Sequence, residues 1–217
     1  MHIGVFDSGV GGLSVGWAVQ QAFPDHTVEV VEDSENLPYG TKTPEELLVL
    51  TLPILESMAQ RCEVIVIACN TLTTSCIDDL RTLINVPLVG IEPMVKSAAE
   101  ITKSGIIAVC ATPATLASKR YRSLKDLYAK GMTVLEPDCS RWAALIETNQ
   151  MDRFAIHGQI DGACTQGADV IVLGCTHYHW IEGMVREAAG DRATVLQPEQ
   201  AVIKQLWKVL EDLKQPA

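Results

Sequence analysis

An internal near-repeat limits the folds open to this 217-residue chain more than any other feature. CEVIVIACNT at 62–71 resembles ADVIVLGCTH at 168–177, and the cysteines that close the two apolar runs, Cys69 and Cys175, are offset by 106 positions. IGVFDS from Ile3 and IIAVCAT from Ile106 are offset by 103. Two kinds of strand separated by nearly the same distance point to duplicated halves. Apolar runs at 3–6, 27–31, 64–68, 87–90, 106–109, 132–135, 170–173 and 194–196 alternate with helical stretches. That rhythm predicts an α/β protein with mostly parallel sheets covered by helices on both faces. The first domain is expected at 1–92 plus 199–217, with a last helix at about 199–213 packed back on it, and the second at 93–198. Two such pseudo-symmetric domains would turn their strand ends toward one cleft, where the active site is expected.

Local signals add detail. Thr43, Pro44 and Glu46 form a capping box at the start of the second helix, and Pro53 is expected to kink that helix or end it early. No apolar run approaches the roughly 20 residues that span a bilayer, and MHIGVFDSG lacks the basic and apolar regions of a secretion signal. A cytoplasmic protein without membrane partners is expected. The net charge of −10 disfavours nucleic acid as a partner. Seven cysteines, an odd number without a CxxC pair, argue for reduced thiols rather than a disulfide framework or a zinc ribbon.

Cys69 and Cys175 each stand where a buried strand yields to a polar tripeptide, Cys-Asn-Thr or Cys-Thr-His. An isolated cysteine is usually a small buried hydrophobe. A matched pair at corresponding strand ends suits chemistry instead, and helix N-termini just beyond would favour thiolates. Inverting an amino-acid α-carbon needs a base on one face and an acid on the other, and two thiols exchanging those roles satisfy that symmetry with neither a metal nor pyridoxal phosphate. Asp7 at the IGVF strand end and His177 beside Cys175 are placed to hold protons, although a helix cap and a core histidine explain them equally well. The glycines of DSGVGGLS (7–14) would let backbone amides approach an anion in a nest-like turn, and their spacing is not the GxGxxG dinucleotide fingerprint. PYGTK (38–42) reads as a turn carrying Tyr39 and Lys42, and TPAT (112–115) offers hydroxyl donors.

Taken together, IGVFDSGVGGLSV (3–15), LPYGTKT (37–43), IACNT (67–71), IEPMVKSA (91–98), ATPAT (111–115), LIE (145–147) and LGCTHY (173–178) resemble the glutamate racemase family. The resemblance implies a cofactor-independent interconversion of L- and D-glutamate that supplies D-glutamate for peptidoglycan. It implies that Cys69 and Cys175 act as the acid/base pair, with Asp7 assisting near Cys69 and Glu147 and His177 near Cys175. Ser8, Tyr39, Gly40, Asn70, Thr71, Thr115 and Thr176 would hold the amino-acid substrate. Family members are often dimers, which leaves a homodimer open.

The chain departs from the family pattern in places. His179 and Trp180 stand where a proline is common, Gln197-Pro198 replaces a polar pair, and Leu72 occupies a position usually small. Leu72 and Trp180 are bulky, are expected near the cleft, and would alter substrate choice. The family also commonly carries a further helical segment after the last helix, and its lack would bear on stability. Three alternatives follow: a racemase or isomerase of aspartate or a related amino or dicarboxylic acid, an inactive binding or regulatory homologue, and a Cys-His hydrolase. The last leaves Cys69 unexplained.

Overall fold

The structure, a computed structural model, describes residues 1–214; positions 215–217, which the sequence reading assigns to the first domain, lie outside the described residues. The chain forms two compact units, Met1–Ile91 with the segment from Glu199 onward, and Glu92–Pro198. The first unit runs β1 (His2–Asp7), α1 (Gly11–Ala22), β2 (Thr27–Glu32), α2 (Pro44–Ala59), β3 (Val64–Ile67), α3 (Asn70–Leu83) and β4 (Leu88–Gly90). The second runs α4 (Val95–Ile101), β5 (Ile106–Ala111), α5 (Pro113–Ala117), α6 (Lys119–Tyr128), β6 (Thr133–Leu135), α7 (Trp142–Glu147), α8 (Arg153–Thr165), β7 (Val170–Gly174), α9 (Glu182–Ala189) and β8 (Thr194–Leu196). The chain then enters α10 (Glu199–Lys214). All eight apolar runs form strands.

Each unit holds one four-stranded sheet, ordered β2-β1-β3-β4 and β6-β5-β7-β8, with every pairing parallel. The two orders are the same once the halves are superposed in sequence, as duplication requires. Because side chains alternate along a strand, the central strands must be apolar on both faces when helices cover both. In the first unit Ile3, Val5, Val64 and Val66 pack on one face with Val15, Val19, Val202, Leu206 and Leu210. Phe6, Ile65 and Ile67 pack on the other with Leu47, Leu55, Leu72 and Leu80. In the second unit Ile107, Val109, Val170 and Val172 share one face, and Ala108, Cys110, Ile171 and Leu173 the other. No helix among the described residues is long and apolar enough to cross a membrane.

The capping box of α2 is present: Thr43 accepts from the Glu46 amide, and the Glu46 carboxylate accepts from the Thr43 amide at 2.8 Å. Pro53 does not end this helix, which continues to Ala59. A proline forfeits one bond to the carbonyl four residues back. Here that carbonyl belongs to exposed Val49, where water can replace the lost donor, while buried Leu47, Thr51, Leu55 and Met58 hold the helix to the core from the other side.

Candidate active site

In both sheets the chain goes from the first strand to one side and then returns to the other, so a crevice opens at the carboxyl ends of β1 and β3, and of β5 and β7. That topological switch point is where open α/β sheets bind ligands. The cysteine-bearing motifs follow β3 and β7, and Asp7 and Thr112 end or follow the neighbouring strands.

In the first unit Asp7 is the last residue of β1 and is fully buried. A Cβ at Gly12 would stand 2.6 Å from the Asp7 Cβ, so that glycine lets the start of α1 lie directly on the carboxylate residue. Cys69 is the N-cap of α3; its Sγ accepts from the Leu72 amide at 3.5 Å and lies 3.5 Å from Ser8 Oγ. The amides at the start of α3 do favour the thiolate, as expected of a helix N-terminus, but the rest of the surroundings outweigh them. Burial and then the nearby Asp7 charge push the Cys69 thiol up to about 12, outweighing Ser8 and the Leu72 and Thr71 amides, which favour the anion. The thiol therefore keeps its proton, with the Asp7 carboxyl near enough to be felt electrostatically.

Asn70, at 2% exposure, has no hydrogen-bond partner for Nδ2 or Oδ1 among the described residues. A buried amide left so costs roughly 1–3 kcal/mol per unmet group, and such a group in a crevice calls for a ligand offering both a donor and an acceptor. Thr71 is buried beside it in the first turn of α3. Tyr39 and Gly40 lie in a 3-10 turn (Tyr39–Thr41), and the Tyr39 hydroxyl donates to Asp33 Oδ2 at 2.5 Å. Burial and then Asp33 push this phenol well above its ordinary range, so it stays a neutral donor. Sequence reading missed Asp33; its signal is an acidic residue six positions before the tyrosine, inside an otherwise turn-like stretch. Lys42 is the C-cap of the 3-10 turn.

In the second unit Cys175 caps a 3-10 turn, Thr176–Ile181, closed by the Tyr178 amide on the Cys175 carbonyl at 3.0 Å. This is not the α-helical start expected, and the Cys175 side chain does not cap the turn by accepting from one of its backbone amides. Cys175 Sγ lies 3.7 Å from His177 Nδ1, and His177 Nε2 lies 2.5 Å from Glu147 Oε1. With Nε2–H donated to the carboxylate, the Nδ1 lone pair is left to take the thiol proton. Glu147 reaches the histidine because Trp142, at the start of α7, packs edge-on against Tyr178 at 5.2 Å between ring centres, which pins the helix to the turn. Thr176 is buried in the same turn. Thr115 is fully buried, and its hydroxyl takes a 3.0 Å bond from Thr112, the N-cap of α5.

The two bulky departures differ in burial. Leu72 faces the core, in one cluster with Cys69 and Tyr39, so it supports the thiol from behind. Trp180 is 51% exposed.

Fold and site together define a two-unit parallel α/β protein that carries one thiol, with a titratable side chain beside it, at the same switch point of each sheet. Residues 14–206 match the family described as Asp/Glu/Hydantoin racemase. The chain is 36% identical over 214 residues to a glutamate racemase of Pseudomonas syringae pv. tomato, covering 96% of this chain and 78% of that one. It is 36% identical to another from Herpetosiphon aurantiacus, covering 96% and 84%. The structure resembles a glutamate racemase isoform from Bacillus anthracis (TM-score 0.85, 27% identity, 98% of this chain and 82% of that one). It also resembles the Escherichia coli glutamate racemase solved with L-glutamate and the activator UDP-MurNAc-ala (TM-score 0.83, 25% identity, 97% and 82%). The chain belongs to the Asp/Glu/hydantoin racemase family.

Proposed function

We propose that this protein interconverts L- and D-glutamate by removing the α-proton with one thiolate and returning a proton to the opposite face from the other thiol, Cys69 and Cys175 trading roles with direction. The observation that carries this reading is the pairing itself: equivalent strand ends of two like sheets each present a cysteine with a group able to hold its proton. Asp7 serves Cys69, and His177, held by Glu147, serves Cys175. On the second side the proton passes from Cys175 Sγ to His177 Nδ1, and the resulting imidazolium is stabilised by the Glu147 carboxylate. Asn70, with Ser8, Tyr39, Gly40, Thr71, Thr115 and Thr176, holds the amino-acid ammonium and carboxylates; the unmet amide of Asn70 supports this assignment most directly. The reaction requires neither metal nor pyridoxal phosphate. Glutamate is preferred because the relatives that match nearly the whole chain carry that name. A cytoplasmic source of D-glutamate for peptidoglycan is the role this activity would fill.

Incubation with L-glutamate and, separately, L-aspartate in D2O, followed by circular dichroism and by Cα deuteration in NMR, tests the proposal. Inversion of glutamate with deuterium uptake, abolished in Cys69→Ser and in Cys175→Ser, is expected. Inversion of aspartate alone would overturn the substrate, and no exchange of either in folded protein would overturn the reaction.

A further inference from the structure

At the opposite strand ends of the first sheet, away from Cys69, three side chains of different chemistry converge. His2 opens β1, Glu29 lies within β2, and Cys62 precedes β3. Gly4 pairs with Glu29 across the β1–β2 ladder and stands two residues after His2, so His2 and Glu29 project on one face, the face that Cys62 Sγ approaches at Gly4. Gly4 has no side chain to fill that face; a Cβ there would meet Cys62 Sγ at 3.1 Å and Met58 Cε at 2.8 Å. The vacated space is where the sulfur comes in. Glu29 Oε2 lies 3.7 Å from His2 Nε2 and 3.8 Å from Cys62 Sγ, and the three atoms all fall within 4.8 Å of one another.

We propose that His2, Glu29 and Cys62 bind a thiophilic divalent cation of the Zn2+ class. Tetrahedral bonds of about 2.0–2.3 Å to nitrogen, oxygen and sulfur place N···O pairs about 3.3–3.5 Å and S···O pairs about 3.5–3.7 Å apart, and the two Glu29 separations, 3.7 and 3.8 Å, need close by only a few tenths of an ångström. An imidazole, a carboxylate and a thiolate form a borderline-soft set suited to Zn2+ or Co2+ rather than to Mg2+ or Ca2+. Glu29 is also oriented: Arg61 donates to its Oε1 at 2.6 Å from Nη2 and 3.0 Å from Nε, and to Oε2 at 2.8 Å from Nε. Arg61 is itself held by the Ser57 carbonyl and hydroxyl. The cation takes Oε2 and loosens that one contact, while Arg61 keeps Oε1, the outer hydrogen bond that metal-ligating carboxylates ordinarily have. The Glu63 carboxylate accepts from the His2 backbone amide and fixes the start of β1. Binding breaks the Cys62 S–H bond, releases that proton to water and forms a sulfur–metal bond. The half-exposed His2 and Glu29 leave a fourth position to water.

Co2+ titrated into the reduced, intact protein tests this. One equivalent should produce near-ultraviolet thiolate-to-Co2+ charge transfer, bleached by Zn2+, retained in the Cys69→Ser/Cys175→Ser double variant and absent in Cys62→Ser. Should Cys62→Ser lose its far-ultraviolet dichroism, His2→Asn, at the rim of the sheet, decides instead, with binding weakened at least about tenfold. No charge-transfer band in the intact protein, a band that survives Cys62→Ser, or undiminished binding by His2→Asn overturns the site.

Discussion

Cys69 and Cys175 occupy equivalent places yet are handled differently. Cys69 is fully enclosed beside an acid, and its thiol is pushed up to about 12 by burial and Asp7. Cys175 faces an imidazole whose far nitrogen is held by Glu147. In Glu147→Gln the amide oxygen can still accept from His177, but the charge that stabilises an imidazolium is gone. The expected result is a fall in kcat of about 10- to 100-fold with KM nearly unchanged, read from steady-state racemization. The buried thiols also set a stability trend. Cys76, like Cys69, is pushed up to about 12, by burial and then by Asp79 and Glu45. An unfolded thiol ionises near pH 8.5, so above that pH the unfolded chain binds fewer protons than the folded one, and stability falls as pH rises toward 12. Each thiol adds to the downward slope in that window. Urea midpoints measured from pH 7 to 11 should fall, and Cys76→Ala should flatten the fall.

Among the elements, α10 is the clearest case of order imposed by packing. Its residues 202, 206 and 210 recur at helical spacing and are all buried against Ile3, Val5, Val64 and Val66, with the polar remainder facing out. Leu206 is fully buried at the centre of that stripe. Leu206→Ala should cost about 2–5 kcal/mol, measured by denaturant unfolding of the intact protein. The period of the apolar residues makes this helix legible in advance. The persistence of α2 through Pro53 was not legible, because whether a missing hydrogen bond ends a helix depends on which side of the helix it falls, and only packing decides that. The 3-10 turn after Cys175 is a similar case: Cys-Asn-Thr and Cys-Thr-His read alike, but the first enters an α-helix and the second a tighter turn.

At the scale of the molecule, the chain makes the same four-stranded topology twice and closes the first unit with its terminal helix. The second unit is therefore one continuous stretch, Glu92–Pro198, with its own apolar clusters on both sheet faces. Expressed alone, residues 92–198 should fold cooperatively, seen as a single thermal transition in far-ultraviolet dichroism. Holding only one of the two thiols, that fragment should invert no substrate even when added at high concentration.

Strand number, parallel pairing and the positions of both cysteines were determined by the chain's own pattern, since buried parallel strands must be apolar on both faces and their ends are marked by the first polar residues. Asp7, Ser8, Asn70 and Thr71 stand within two residues of a strand end or a thiol, so the pattern also fixes where they lie along the chain. Tertiary structure decided the rest: the direct Glu147–His177 contact and the Trp142–Tyr178 packing beside it, where the family resemblance places Glu147 and His177 only near Cys175, the Asp33 carboxylate on the Tyr39 hydroxyl, and the convergence of His2, Glu29 and Cys62 from three segments. The proton affinity of Cys69 belongs with these. A helix N-terminus is written into the local sequence, whereas desolvation and the reach of a neighbouring carboxylate exist only once the sheet and its helices have closed over the sulfur.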